Sequence, residues 1–360
     1  MSLLVLSAAD VESLTSSLSA ASLCSMLGKT MSAIAHAPDA RGAVPPIQNP
    51  QRIATESERY RTLYMPSRLT TVQEGPATAI KVVSVPKPSC SVPGLPATTL
   101  LIDEATGLTR AVVNAAELTG LRTAAASALA TKLLADPASR KLVVFGSGVQ
   151  AYYHCRLILE LFPSIRTATF VIRDLSSPRL QLLFERLRPQ FPSVNIGCAL
   201  NVSAPVSEVV KTADIICTCV PSTEALFDAQ DLKPNVHINA IGSYTPSMRE
   251  FPPSLVSPST SFPSIRIPTL LVDSSPACLA EAGELIAAKI SPSNLIEIGS
   301  LLDGSGELKD DDATKTNLER LRGSGRSLFK CVGVGGMDVG ITRLVVDEAE
   351  RRGAGTKVPF

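Results

Sequence analysis

The run Lys141-Leu-Val-Val-Phe-Gly-Ser-Gly-Val-Gln-Ala151 sets a short apolar stretch, a Gly-x-Gly-x-x-Ala turn and the start of a helical pattern in immediate succession. That order suits a dinucleotide pyrophosphate. Gly146 permits a tight turn, Gly148 lets backbone come close to the phosphates, and Ala151 lets the helix pack against its strand. The first helical N–H groups, those of Val149 and Gln150 among them, have no intrahelical acceptor and suit an anion. Glycine spacing by itself is a weak signal, whereas a strand before it and a helix after it make the match specific. The competing reading is a Rossmann-like sheet whose loop is only structural. A second strand, 168–172, should end beside the adenosine ribose, and the next residues are Arg173 and Asp174. An acid there bonds the 2′-hydroxyl of NAD, while an arginine favours the 2′-phosphate of NADP. The cofactor is therefore read as NAD(P)H, with Arg173, which comes first, tilting the choice towards NADP; the alternative is that both are solvated loop charges.

Elements able to hold such a loop flank it on both sides. Helical spacing over 118–134 stops at Asp136-Pro137, and short apolar strands then alternate with helices: strands at 142–145, 168–172, 195–198, 214–219, 237–241 and 269–272, helices at 149–161 and 178–187. Buried strands separated by helices predict a parallel sheet covered on both faces. Residues 1–45 read as strand then helix, with Ser7-Ala-Ala-Asp10 shaped like a capping box. Over 45–120, prolines that include Pro66, Pro86, Pro88 and Pro93 punctuate short β-like runs, which predicts a largely antiparallel sheet with a turn at 103–107. The Ser/Pro-rich stretch 251–268 reads as a surface excursion and 303–315 as a polar loop, before a strand and turn at 327–334 and a helix at 338–351. The expected fold class is α/β, with a Rossmann-type doubly wound parallel sheet at 121–325 and a second α+β domain at 1–120, completed by 326–360.

Bulk properties exclude several function classes. The 34 basic and 33 acidic residues leave a formal charge of +1, so no basic field points to nucleic acid or to an anionic membrane. No apolar run approaches the roughly 18 to 20 residues of a spanning helix. The first residues lack a basic leader and meet Asp10 and Glu12 early, so a signal peptide is not expected, and a soluble cytoplasmic protein is. Eight scattered cysteines without a Cys-x-x-Cys pair read as reduced; Cys217 and Cys219 alternate as small core side chains. His36, His154 and His237 lie far apart without carboxylates at ligand spacing, so no metal is expected.

Longer matches accumulate around the glycine loop. Leu121-Arg-Thr-Ala-Ala-Ala-Ser-Ala-Leu-Ala130 ahead of it, with Met65-Pro66, Lys81, Gly94-Leu-Pro96, Ala213-Asp-Ile215, His237-Ile-Asn-Ala-Ile-Gly242, Glu281-Ala-Gly283 and Phe329-Lys-Cys-Val-Gly333, resembles the ornithine cyclodeaminase/mu-crystallin family over most of the chain. The resemblance implies a homodimer whose first domain makes the subunit contact, with an amino or imino acid bound between that domain and the Rossmann domain. It implies that Arg52 and Lys81 hold the substrate carboxylate, that Arg122 reaches both substrate and cofactor, and that Val332 lines the substrate. Further cofactor contacts are implied at Thr123, Val220, Ala240, Ile241, Gly242 and Cys331. Charge-assisted pairs from Arg or Lys suit a carboxylate in a partly dry cleft. Arg52 could equally be a surface charge, and Arg122, read as opening the alanine-rich helix, opposes the helix dipole there and so suggests an anionic partner.

The sequence departs from the family pattern at three places. Where cyclodeaminases carry an acid/base aspartate, Ile241-Gly-Ser-Tyr-Thr-Pro246 has Tyr244; a lysine four residues later is Met248; and a threonine after the Gly-Leu-Pro turn is Ala97. Ammonia-eliminating cyclisation needs a base, and a phenol of ordinary pKa near 10 substitutes poorly for a carboxylate. The favoured expectation is NAD(P)H-dependent reduction of a small cyclic ketimine, or oxidation of the corresponding amino acid, with Lys81 beside the imine and Tyr244 either a donor or part of the wall. The alternatives are ornithine cyclodeaminase and a non-catalytic NADPH-binding protein of mu-crystallin type.

Overall fold

The computed structural model describes residues 2–36, 44–87, 90, 94–259 and 263–359. They form two compact units, one of 1–122, 302–307 and 334–360, the other of 123–301 and 308–333. Pro88 and Pro93 lie outside the described residues, as do 260–262 of the Ser/Pro stretch.

The first unit opens with β1 (Ser2–Leu6), α1 (Ala8–Ser16) and α2 (Ala20–Ala35). Residues 1–45 thus contain two helices where a single one was expected. Ser7 caps α1: its Oγ accepts from the Asp10 N–H, and the Asp10 carboxylate accepts from the Ser7 N–H in return. Strands β2 (Ile47–Gln48), β3 (Ile53–Glu56), β4 (Tyr60–Thr71), β5 (Gly75–Pro86), β6 (Ala97–Ile102) and β7 (Thr109–Asn114) follow. The long β4–β5 hairpin is in register from Tyr60 opposite Pro86 to Thr71 opposite Gly75. Pairing is antiparallel except where β1 joins β7, so the sheet is mixed. Side chains alternate faces along a strand, and Ala77, Ala79, Lys81 and Val83 of β5 all fall on the buried face. The period that makes this strand half apolar thereby drives one lysine into the core.

α3 (Ala116–Leu134) crosses the unit boundary after Arg122. In the second unit, β8 (Lys141–Phe145), α4 (Val149–Leu161), β9 (Thr167–Ile172), α5 (Pro178–Leu187), β10 (Asn195–Leu200), α6 (Ser203–Val210), β11 (Ile215–Thr218), β12 (His237–Ala240), β13 (Leu270–Val272), α7 (Ser275–Glu281), α8 (Gly283–Ala288), β14 (Leu295–Glu297), α9 (Asp312–Arg322) and β15 (Ser327–Lys330) build one parallel sheet covered by helices. Its order is β10-β9-β8-β11-β12-β15-β13-β14. The chain reverses its direction of progress across the sheet at β8 and β11, which is the switch point where open α/β sheets bind ligands at the carboxyl ends of their strands. The first unit resumes with α10 (Gly335–Arg352), packed on β4, β5 and α2, and with β16 (Thr356–Pro359), antiparallel to β1.

Two expectations need correction. Residues 326–333 belong with the parallel sheet, because β15 pairs with β12 on one side and β13 on the other; the first unit is completed from 334. The stretch 251–268 is not merely a surface excursion. Phe251, Leu255, Val256 and Ile267 are fully buried in the second unit's core, Ile265 packs against it partly buried, and a bond from Ile267 N–H to the Leu255 carbonyl (2.7 Å) folds the segment back on itself. Serine and proline dominate its composition, but burial is decided by those apolar residues. Phe251→Ala should therefore lower unfolding stability by about 3 to 5 kcal/mol in urea denaturation; a loss below about 1 kcal/mol, the usual range for surface positions, would return the segment to the surface.

Candidate active site

Lys81 is 2% exposed and its ammonium lies 2.7 Å from Asp338 Oδ2. Arg122, 4% exposed, sets its Nε 3.2 Å from Asp338 Oδ1 and its Nη1 3.6 Å from the Met337 sulfur. One carboxylate thus joins two cations. A third, Arg52, is half-buried and close enough to act on the charge of Lys81. Burial pushes the Lys81 pKa down to about 8; Asp338 opposes that, while Arg122 and Arg52 add to it. Lys81 and Arg122 thus share one buried acid, and Arg52 acts on the Lys81 charge from nearby. The geometry also corrects the placement of Arg122. It lies six residues after Ala116, the first residue of α3, rather than at the helix start, and the anion facing it in the protein is Asp338.

Asp338 reaches this cluster through backbone economy. α10 begins Gly335-Gly336-Met337-Asp338. A Cβ on Gly335 would stand 2.9 Å from Ser67 Cβ, and one on Gly336 would stand 2.8 Å from Ile34 Cδ1. Glycine at 335 lets the helix start come this close to β4, whereas the Gly336 contact is with the movable end of Ile34. Position in the first turn also favours the charged carboxylate through the helix dipole.

In the second unit, the positions expected to meet a dinucleotide gather at the carboxyl ends of β8, β11, β12 and β15. Gly146 has φ +109°, in the region that favours glycine, and a Cβ there would stand 2.6 Å from Val220 Cγ1. Gly148 caps α4 without any side-chain bond, and a Cβ on it would meet nothing within 4 Å. The start of α4 therefore faces open space, where Val149 is exposed, Gln150 half-buried, and Ala151 buried against the sheet. These residues fit a bound pyrophosphate, with backbone N–H groups available and no side chain in the way. Gly242 abuts the Val220 carbonyl, Ile241 N–H donates to the Thr218 carbonyl, and Cys331 N–H to that of Ala240 (3.0 Å). Thr123 and Val332 are buried; Tyr244 is half-buried in the loop after β12. At the end of β9, Arg173 and Asp174 are both exposed, and Asp174 Oδ1 accepts from Ser176 N–H (2.9 Å) and Oγ (2.6 Å).

Four further charged residues brace these loops. Glu250 accepts from Gly242 N–H (2.6 Å), Ser243 N–H (2.9 Å) and Lys330 Nζ (2.8 Å), and Lys330 also lies 3.1 Å from Glu284. All three side chains of this ion group are fully buried. Burial works against the Lys330 charge, but Glu250 and Glu284 outweigh it and raise its pKa; burial raises that of Glu284, against the pull of Lys330. Asp273 accepts from Val332 N–H (3.1 Å) and Gly333 N–H (2.6 Å). None of these was singled out from sequence. The available signal was partial: Lys330 lies within the matched run Phe329–Gly333 and Glu284 directly follows Glu281-Ala-Gly283, whereas Glu250 and Asp273 adjoin no matched motif. His154 and His237 are core residues whose burial lowers each pKa to about 4, with Ser127 and Ser327 beside them. Among the described residues no group of three His, Cys, Asp or Glu is placed to hold a metal, and no helix is long and apolar enough to cross a membrane.

Comparison with known proteins bears on this geometry. The model of the ornithine cyclodeaminase/mu-crystallin family matches residues 2–352. The ketimine reductase mu-crystallin of Mus musculus is 31% identical over 258 residues, covering 71% of each chain. A Delta(1)-pyrroline-2-carboxylate reductase of Bacillus thuringiensis is 28% identical over 318 residues, covering 84% of this chain and 86% of that one. The structure of the Thermococcus litoralis Delta(1)-pyrroline-2-carboxylate reductase, in complex with NADH and L-proline, superposes with a TM-score of 0.77 at 25% identity, covering 99% of this chain and 100% of that one.

A carboxylate set against the α4 start would repel a phosphate held there, where a Cβ on Gly148 meets nothing within 4 Å. Gly148→Asp should weaken dinucleotide binding by at least about 100-fold, or roughly 2.7 kcal/mol, in calorimetric titration while leaving the melting temperature nearly unchanged; undiminished affinity would move the site elsewhere.

Proposed function

The chain belongs to the ornithine cyclodeaminase/mu-crystallin family, and from that premise we propose that it is an NAD(P)H-dependent reductase of a small cyclic imino acid, able to run as the reverse amino-acid dehydrogenase. The observation that carries the reading is the buried Lys81 ammonium, held by Asp338 beside Arg122. Reduction of a ring C=N bond needs a hydride at carbon, a proton at nitrogen, and a grip that aims one face of the ring. The dinucleotide, when bound, supplies the hydride.

The chain's own residues do the rest. Arg122 has Nε committed to Asp338 and Nη1 beside Met337, so Nη2 is its edge for a carboxylate oxygen; Arg52 is the second cation of the grip. As the carbon–nitrogen π pair withdraws onto nitrogen, Lys81 Nζ gives it a proton and is left as a neutral amine. With a pKa of about 8, Lys81 is charged at neutral pH and still acidic enough to donate, the condition under which general acid catalysis works best. Tyr244 stands where cyclodeaminases have an aspartate, so it serves here as a wall or a second donor, and no observation favours the ammonia-eliminating reaction. The reading extends to NADP: Asp174 is engaged by its own turn, leaving exposed Arg173 for a 2′-phosphate. It extends also to a homodimer, for which the exposed β3, with Ile53 67% accessible, supplies apolar surface.

The direct test follows NADH and NADPH absorbance with five- and six-membered cyclic imino acids, with ornithine plus NAD and ammonia detection alongside. Imine-dependent oxidation of the nucleotide is expected. Ammonia release without net nucleotide change would establish the cyclodeaminase reaction instead, and tight NADPH binding without turnover a binding protein. Lys81→Ala should cut kcat/KM at least about 100-fold with NADPH affinity retained, and the wild-type rate should fall tenfold per pH unit above about 8; a rate flat to pH 10 would remove Lys81 as donor. Arg173→Ala should weaken NADPH about tenfold, the worth of one charged hydrogen bond, and leave NADH unchanged; equal losses would place Arg173 outside the 2′-phosphate site.

A further inference from the structure

We propose that Asp338 is a positioning residue for this reaction: one carboxylate, delivered by the glycine-rich start of α10, holds the Lys81 ammonium and the Arg122 guanidinium in a fixed mutual arrangement, so that Lys81 can give up its proton and recover it without leaving its place. The inference rests on the reductase reading and names the residue that organises its site. Three observations carry it. The two oxygens are divided, Oδ2 to Lys81 at 2.7 Å and Oδ1 to Arg122 at 3.2 Å, so the acid is a bridge and not a partner of either one alone. All three side chains are at least nine-tenths buried, where an unpaired charge is costly and a paired one is stiff. Finally, Gly335 brings the start of α10 within 2.9 Å, counted from an added Cβ, of Ser67 Cβ, a local sacrifice of helix propensity that lets α10 carry Asp338 close to β4.

The charged and polar groups around Lys81 define what Asp338 does to its proton. From α10 comes Asp338, from α3 Arg122, from the segment before β3 Arg52, and from β6, directly across the sheet, the neutral Thr99. Asp338 is the one group of this set that favours the charged lysine; Arg122 and Arg52 disfavour it, as burial does. When the imine nitrogen takes a proton from Nζ, the new N–H bond forms as the Nζ–H bond breaks, the lysine becomes neutral, and water returns the proton. Asp338 keeps its contact with Arg122 throughout. Without its charge, Lys81 would sit neutral beside two guanidinium groups at neutral pH, and the donor would be lost before the substrate arrived.

The test uses the full-length protein labelled with ¹³Cε-lysine, the Lys81 resonance being assigned with Lys81→Arg, and follows its titration without dinucleotide or substrate. Asp338→Asn should lower the Lys81 midpoint by at least about one pH unit. The alkaline fall in kcat/KM should move by the same amount, and KM for the imino acid should rise because Arg122 is released. Asp338→Glu keeps the charge but displaces it by a methylene. It should fold, keep the Lys81 midpoint within about half a unit of wild type, and still lose about tenfold in kcat through misplacement. An unmoved Lys81 midpoint in folded Asp338→Asn, or wild-type kcat and KM in Asp338→Glu, would overturn the proposal; if Asp338→Asn does not fold, the Asp338→Glu result decides. A wild-type protein that reduces no imine while its Lys81 midpoint depends on Asp338 would sink the reductase reading and leave the ion bridge standing.

Discussion

Burying a lysine on the apolar face of a β-sheet is the constraint from which the rest of the site follows. The alternation of β5 puts Lys81 among Ala77, Ala79 and Val83, and an ammonium there, separated from water, needs a partner. Asp338 is that partner, and Gly335 thins the start of α10 where it passes β4. Arg122 shares the acid and so enters the same buried cluster. Breaking a buried pair by removing one side typically costs about 3 to 5 kcal/mol, so each member holds the others in place. Within it Lys81 and Arg122 share one carboxylate, and Arg52 lies near enough to act on the Lys81 charge.

The second unit solves a different problem with the same tactics. A pyrophosphate requires bare backbone, and bare backbone requires glycine, supplied by Gly146 and Gly148 at the end of β8. Loops so thin carry little packing of their own. Buried carboxylates stiffen their neighbours: Glu250 takes the N–H groups of Gly242 and Ser243, and Asp273 those of Val332 and Gly333. The Glu250–Lys330–Glu284 group and Asp273 thus act at the same edge of the sheet, where β12, β13 and β15 end.

Much of this was legible in the sequence wherever the signal is local. The glycine loop, α4 over Val149–Leu161 and α5 over Pro178–Leu187 follow from spacing and from Pro178 at a helix start, and the 103–107 turn follows from Asp103, whose side chain takes the N–H groups of Ala105 and Thr106. Lys81 and Arg122 stood out through the family resemblance. Their partner did not, because Asp338 is 216 residues from Arg122 and its own surroundings read only as an ordinary helix start. Lys330 and Glu250, 80 residues apart, were hidden for the same reason. No periodicity records a pairing between distant strands and helices. The 251–268 segment shows the converse, since composition averaged over a stretch dilutes the few apolar residues that fix its place.

On the proposed reading the first unit grips a carboxylate through Arg52 and Arg122. Calorimetric titration of the dinucleotide-saturated protein with pyrrole-2-carboxylate, and with the corresponding neutral carboxamide, tests it without requiring turnover. The carboxylate should bind at least about 100-fold tighter than the amide, equivalent to roughly 2.7 kcal/mol from one ligand charge. Equal affinity for the two, or no heat with either, would contradict it.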